Sequence, residues 1–152
     1  MSRHILLDSS PLSVLSKPAC TAEVVAINSW IRDCLKAGHS IHVPEVIDCE
    51  LRRELPWAGK ISSITMLDSL KLKFSYLPLT TAAMLLAAEL WAESRRSGQP
   101  TGDPLKLDID AILAAQALTL DIPSGEVIVA TSNPAHLSRF VAADLWSNIT
   151  PE

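Results

Sequence analysis

The feature that most constrains the fold is an alternation of short apolar runs with amphipathic helical segments. The apolar runs have the length and composition of buried strands, and they cover residues 4–7, 41–43, 74–79 and 127–131. Between them, apolar residues recur at three- and four-residue spacing, most clearly over residues 22–37. Parallel strands need long crossover connections, which are usually helices. The sequence therefore predicts a three-layer α/β/α sandwich with a mainly parallel central sheet.

Residues that cap and end helices sharpen the predicted boundaries. Gly38 and Gly98 are placed to end two helices, and Thr80 or Thr81 is placed to cap the second of them. Pro56 is placed to end another helix. The predicted helices cover residues 22–37, 44–55, 61–70, 81–97, 109–120 and 135–140.

The segment before the last long helix carries turn residues. Residues 99–105 contain two Pro and one Gly, which is typical of a loop. Asp108 is the expected N-cap of the helix that follows, and Asp110 then lies on its first turn, where an acid interacts favourably with the helix dipole. A final edge strand is expected at residues 145–149.

Composition places the chain among globular domains. With 152 residues, 48% hydrophobic and 20% charged, it is long enough for a single domain over residues 1–152 and too apolar for a disordered chain. No apolar stretch reaches the roughly 20 residues of a bilayer span, and the first residues lack the apolar region of a signal peptide. A formal net charge of −4 argues against broad electrostatic attraction to nucleic acid. We therefore expect a cytoplasmic protein with no membrane segment.

Three carboxylates are the leading candidates for chemistry. Asp8 closes the first apolar run, Glu50 lies within the helix over residues 44–55, and Asp110 opens the helix near residue 110. Each lies beside a core element, where an unpaired carboxylate is costly. Ligands of such sheets bind outside the carboxyl ends of strands, where Asp8 and Asn133 are both expected. Carboxylate oxygens suit Mg²⁺ or Mn²⁺ better than zinc, so the pattern indicates an acidic pocket that binds a hard divalent cation.

Simpler explanations exist for each carboxylate taken alone. Asp110 could be a first-turn acid favoured by the helix dipole, and Asp8 could cap the turn that follows it. Glu50 could pair with a neighbouring arginine on a solvated face. Glu45 and Glu54 lie one turn to either side of Glu50, and either could take its place. Separate explanations of this kind leave the common placement of the three acids unexplained.

Other residue types are given structural roles. The three cysteines form no C-x-x-C pair, so no disulfide framework or zinc ribbon is expected and each is read as a small buried hydrophobe. The four tryptophans are assigned to the core by default, with a protein interface as the alternative. Asp48 and Asp103 are read as surface acids, and His136 as a surface histidine rather than an RNA contact.

Four segments in the expected order resemble the motifs of PIN-domain ribonucleases, the toxins of VapBC-type toxin–antitoxin pairs. The first is a strand ending in Asp followed by Ser, and the second is a helix in which Glu precedes Leu. The third is an Asp followed by an apolar helix that contains Ala-Ala, and the fourth is a strand that ends in Thr and a polar turn. These segments are residues 5–10, 43–51, 110–118 and 130–140.

The resemblance implies a Mg²⁺- or Mn²⁺-dependent endoribonuclease with a PIN-like fold. Asp8, Glu50 and Asp110 would be the catalytic, metal-binding carboxylates, and Ser9 a supporting hydrogen-bond donor. Many relatives carry a fourth Asp where this chain has Asn133, whose carbonyl oxygen can still accept but brings no charge. The resemblance also implies an RNA substrate, a homodimer and a small antitoxin whose tail crosses the acidic pocket.

Two other functional classes share this fold or this placement of acids at strand ends. One is a non-catalytic module of the same fold, which would bind RNA or a protein through a metal site weakened by Asn133. The other is a phospho-accepting receiver domain, which needs an acidic pair after the first strand and a late Lys. Here Ser9 follows Asp8, and no Lys follows Lys106, which excludes that class.

Overall fold

The chain is described by a computed structural model that covers residues 2–98 and 104–152, without the side chains of residues 104–107. Five strands in these ranges form one sheet, namely β1 (His4–Leu7), β2 (Ser40–Pro44), β3 (Ser75–Leu77), β4 (Val127–Thr131) and β5 (Ala143–Leu145). The helices are α1 (Ser9–Leu15), α2 (Ala22–Lys36), α3 (Glu45–Trp57), α4 (Ile61–Lys73), α5 (Thr81–Arg96), α6 (Pro104–Leu118) and α7 (Pro134–Leu137). None of the helices in the described part of the chain is both long and apolar enough to span a membrane.

All strands pair in parallel, in the order β3-β2-β1-β4-β5. The chain moves outward from β1 through β2 to β3, and then crosses back to β4 on the other side of β1. The order therefore reverses between β1 and β4, which is where ligands bind in sheets of this kind. Ile5, Leu6 and Leu7 of the central strand have no exposed surface, as expected for a parallel sheet covered by helices on both faces. The predicted three-layer fold is confirmed.

A small cluster of buried apolar residues, separate from the core around the central strand, joins α5 to α6. Ala83 and Ala87 of α5 pack against Ala111 and Ala115 of α6, and all four are buried. Small side chains allow the two helices to approach closely. Of the two predicted caps, Thr80 and Thr81, it is Thr80 that caps α5, by accepting a 3.0 Å hydrogen bond from the backbone N–H of Ala83. Asp110 lies on α6, the second helix of this pair.

Helix α6 is longer at its N-terminus than the sequence pattern indicates. It begins at Pro104, which is favoured in a first turn, so Asp108 is not its N-cap and Asp110 lies in its second turn. The predicted N-cap role of Asp108 and the predicted first-turn position of Asp110 are therefore both wrong. Of the predicted loop at 99–105, residues 104 and 105 are helical and residues 99–103 lie outside the described ranges. Asp103, read as a surface acid, lies outside them as well.

Smaller corrections concern element ends and single residues. Helix α3 continues one residue past Pro56, and the last strand lies at residues 143–145, with a 3₁₀ turn over Trp146–Asn148. Of the three cysteines only Cys34 is buried. Asp48 is not a surface acid, because it is 6% exposed and pairs with Arg52 and Lys71.

Candidate functional site

A small cavity lies at the carboxyl ends of β1 and β4, where the strand order reverses. Its volume is about 50 Å³, enough for about four water-sized groups. Residues from four separate segments of the chain line it, and they are Asp8, Ser9, Glu50, Ile109, Asp110, Ser132, Asn133 and His136. The structure thus brings together all five residues that the sequence singles out, although they are distributed over most of the chain.

Asp8 is held in one orientation by two short hydrogen bonds. Its Oδ1 accepts from the backbone N–H of Ser9 at 2.7 Å, and its Oδ2 accepts from the hydroxyl of Thr131 at 2.7 Å. The backbone N–H of Asp8 also donates to Ala130 O at 2.9 Å, which extends the pairing of β1 with β4 by one residue. The capping role expected of Asp8 in isolation is therefore real, since it caps α1, and it coexists with a place in the cavity.

Glu50 is the acid of α3 that reaches the cavity. Glu45 is occupied elsewhere, because its carboxylate accepts from the Tyr76 hydroxyl at 3.0 Å and from the backbone N–H of Leu79 at 2.7 Å. Those bonds tie the start of α3 to the end of β3. Glu54 is exposed to solvent and is not among the residues that line the cavity. The choice among the three glutamates is thereby made in favour of Glu50.

Asp110 is placed by the way α6 is fixed to the rest of the fold. Gln116, which is 2% exposed, donates from Nε2 to Leu77 O at 2.9 Å and accepts at Oε1 from Val46 N at 3.3 Å. One buried amide therefore joins α6 to β3 and to the first turn of α3. Asp108, two residues before Asp110, is exposed and lines a different groove, beside Trp91 of α5.

The turn after β4 supplies the remaining polar groups. Thr131 is buried, and while its hydroxyl donates to Asp8 it accepts from the backbone N–H of Asn133 at 3.1 Å. The side chain of Asn133 contacts His136, with Nδ2 and Nδ1 3.1 Å apart. His136 therefore lines the cavity and is not an ordinary surface histidine. A helix-like spacing of three residues from Asn133 is the signal that could have identified it.

The oxygen atoms that line the cavity are of the kind that bind a hard cation. Carboxylate and amide oxygens are the ligands that Mg²⁺ and Mn²⁺ prefer. Across residues 2–98 and 104–152, however, no three His, Cys, Asp or Glu side chains gather closely enough to hold a metal ion. Mg²⁺ usually retains several waters and binds one or two protein carboxylates, so spaced acids around a small cavity fit a hydrated ion. A closed tetrahedral zinc site does not fit this arrangement.

Comparison with known proteins supports the fold. No protein-family model matches the chain, and no curated protein matches it in sequence. Solved structures do match it over nearly their whole length. A chain of VapBC2 from Rickettsia felis, bound to a DNA fragment from the promoter, has a TM-score of 0.66 at 13% identity, with 94% of this chain and 98% of that chain covered.

Two further structures give the same result. FitAcB from Neisseria gonorrhoeae matches with a TM-score of 0.64 at 16% identity, covering 95% of this chain and 99% of the matched chain. DNA-bound VapBC from Salmonella typhimurium matches with a TM-score of 0.63 at 16% identity, covering 95% and 98%. The chain therefore has the PIN-like fold found in VapBC toxin–antitoxin complexes.

Proposed function

We propose that this chain is a Mg²⁺- or Mn²⁺-dependent endoribonuclease of PIN type and the toxin of a toxin–antitoxin pair. The observation that carries the proposal is the convergence of Asp8, Glu50 and Asp110 on one cavity at the switch point of the sheet. Asp8 follows β1, and Glu50 and Asp110 belong to α3 and α6, so no local structural need explains why the three acids meet. They also occupy the positions that the resemblance to PIN-domain ribonucleases implies.

The residues of the cavity are suited to holding a cation beside a phosphodiester. Carboxylates that line one small cavity repel one another, and a divalent cation bound among them would relieve that repulsion. A bound cation of this kind neutralises charge on the attacked phosphate and lowers the pKa of water. Asp8 is preset for such a role because both of its oxygens have fixed hydrogen-bond donors. Ser132 and Asn133 add neutral oxygen donors at the rim of the cavity.

The proposed partners follow from the same relatives. The matched structures are of VapBC and FitAcB, and from the VapBC complexes we extend to this chain a small antitoxin partner. A homodimer is proposed from the sequence resemblance alone, and a cytoplasmic location from the sequence. RNA is the proposed substrate. With a formal net charge of −4, the chain would hold it through the cation and a few local basic groups and not through a broad basic surface.

The first test is cleavage of RNA by the purified chain in the presence of Mn²⁺. We expect cleavage that EDTA abolishes and that Asp8→Asn lowers by at least about a hundredfold, because the amide removes the charge while keeping the shape. Glu54→Gln is the matched control, since it makes the same kind of change on an exposed part of α3. Cleavage by Asp8→Asn at the wild-type rate would refute the site.

A non-catalytic binding module remains the second candidate. Two observations favour it. Among the described residues, no three acids lie close enough together to hold a metal ion, and Asn133 carries no charge. The two candidates differ in their response to metal. A competent site gains thermal stability when Mg²⁺ binds the folded state, and the gain grows with its concentration. A melting temperature independent of millimolar Mg²⁺, together with no cleavage, would favour the binding module.

A further inference from the structure

Besides its three carboxylates, the cavity has a pair of contacting polar side chains at its rim. Asn133 follows β4, and His136 lies three residues later in the first turn of α7. Their side chains meet with Nδ2 of Asn133 3.1 Å from Nδ1 of His136. Both residues line the cavity that Asp8, Glu50 and Asp110 also line. Nothing so far gives this contact a function.

Asn133 is not used as a helix cap, although it occupies the N-cap position of α7. An asparagine there usually accepts a hydrogen bond from a backbone N–H of the first turn. Here the side chain makes no capping bond, and the backbone N–H of Asn133 is satisfied separately by Thr131. The amide is therefore turned toward His136 instead of toward the helix it precedes.

The two ends of an amide have opposite electrostatic character. Oδ1 can accept hydrogen bonds or bind a cation, whereas Nδ2 can only donate. In a cavity with three carboxylates, electrostatics favours turning the donor end toward the acids, and in that orientation the residue cannot bind a cation. The ring nitrogen of His136 takes up the donor end at 3.1 Å. Oδ1 is then the end of the amide that His136 leaves available.

We infer that His136 is a positioning residue that fixes the amide of Asn133 with its carbonyl oxygen available to a cation in the cavity. This inference rests on the proposed function, because it concerns a cation held by the same site. In it, His136 touches neither cation nor substrate and acts only through Asn133. Its Nδ1 accepts from the amide, so the ring proton lies on Nε2. Partners of metal ligands of this kind typically contribute ten- to a hundredfold in metal affinity.

The test measures Mn²⁺ binding by calorimetry or electron paramagnetic resonance, and does not depend on cleavage. We expect His136→Leu to weaken Mn²⁺ binding by about tenfold. His136→Asn should retain most of the affinity, because its Oδ1 can act as the acceptor near the place of Nδ1. Melting temperatures of all variants identify any loss that comes from unfolding.

A double-mutant cycle separates positioning from a general structural effect. In Asn133→Asp both ends of the side chain are oxygen, so orientation no longer matters. We expect His136→Leu to cost less than about twofold in Mn²⁺ affinity in that background, against about tenfold in the wild type. An equal loss in both backgrounds, or no loss in either, overturns the inference.

The outcome can be told apart from a failure of the proposed function. If Asp8→Asn abolishes Mn²⁺ binding while His136→Leu leaves it unchanged, the metal site stands and the role of His136 is refuted. If the wild-type chain binds no Mn²⁺, the proposed function and this inference both fall. Only a loss in His136→Leu that Asn133→Asp suppresses supports the positioning role.

Discussion

Thr131 donates a 2.7 Å hydrogen bond to Oδ2 of Asp8, joining two residues that are 123 positions apart in the chain. Thr131 is 1% exposed, and its hydroxyl also accepts from the backbone N–H of Asn133 at 3.1 Å. The hydroxyl oxygen accepts that hydrogen bond through a lone pair, and its own proton points to the carboxylate of Asp8, which can only accept. One side chain therefore fixes both the first carboxylate and the turn that carries Asn133 and His136.

Thr131→Val should weaken both the fold and the site. Valine has a similar shape but no hydroxyl, so Asp8 loses a donor and the N–H of Asn133 loses its acceptor. We expect a loss of about 1–3 kcal/mol in the free energy of unfolding, measured by denaturant titration. Mn²⁺ binding should weaken as well. Thr131→Ser keeps the hydroxyl and is the control; a Val variant as stable as the Ser variant would contradict the role given to this bond.

Neighbouring acids on α6 should differ sharply in their effect on cleavage. Asp110 lines the cavity, whereas Asp108 is exposed and lines a groove against α5. We expect Asp110→Asn to lower the rate of RNA cleavage by at least about a hundredfold and Asp108→Asn to change it less than about twofold. Single-turnover rates with a labelled RNA measure both. Equal losses in the two variants would argue for a general effect of charge and against a defined site.

The ion pairs of Asp48 should matter more to stability than the neighbouring surface pair. Asp48 is buried and pairs with Arg52 at 3.0 Å and with Lys71 at 3.2 Å, whereas Asp68 is exposed and pairs with Arg52 at 2.7 Å. Asp48→Asn should lower the free energy of unfolding by about 2 kcal/mol, less than for a fully buried pair because both cations are partly solvated. Asp68→Asn should lower the free energy of unfolding by under about 1 kcal/mol, and high salt should remove even that difference. A larger effect at Asp68 than at Asp48 would reverse this ranking.

His42 should make the fold less stable in mild acid. Burial, and to a smaller extent the charge of His4, lowers the pKa of His42 from 6.5 to about 4. Since the folded state resists protonation, the contribution of neutral His42 is complete above pH 6.5, decreases as the pH falls toward 4, and changes no further below that. The full loss is at most about 3 kcal/mol.

The contribution of His42 can be isolated by difference. The free energy of unfolding of His42→Leu, subtracted from that of the wild type at each pH, removes the part due to other titrating groups. We expect this difference to slope between pH 6.5 and 4 and to be flat from pH 7 to 8. A difference that is constant over the whole range would contradict the lowering of the His42 pKa by burial and by His4, whose Nδ1 lies 2.9 Å from Nε2 of His42.

Much of the fold could be predicted from local pattern. The apolar run over residues 127–131 is β4 without change, and of the two residues predicted to cap α5, Thr80 and Thr81, the structure has Thr80 in that role. The start of α6 was missed because Asp108 is a good capping residue in isolation, and the preceding Pro-rich segment resembles a loop. Pro104 instead occupies the first position of the helix, where its missing N–H costs nothing. Local signals of similar strength thus competed, and tertiary packing decided between them.

For the site, the candidate acids could be chosen from sequence but their surroundings could not. Asp8, Glu50 and Asp110 were identifiable from their places beside core elements and from the resemblance. That Glu45 is occupied by Tyr76 and Leu79 follows only from how β3 lies against α3. The same holds for His136, whose contact with Asn133 depends on the path of one short turn.

The sequence by itself determined which segments are apolar, which are helical and which acids stand at their ends, because those properties arise from neighbouring residues. Tertiary structure alone decided which of those acids meet, since hydrogen bonds such as Thr131 to Asp8 and Gln116 to Leu77 close loops of 123 and 39 residues. Contacts of that range are specified by the packing of the whole sheet and its helices, and no local pattern encodes them.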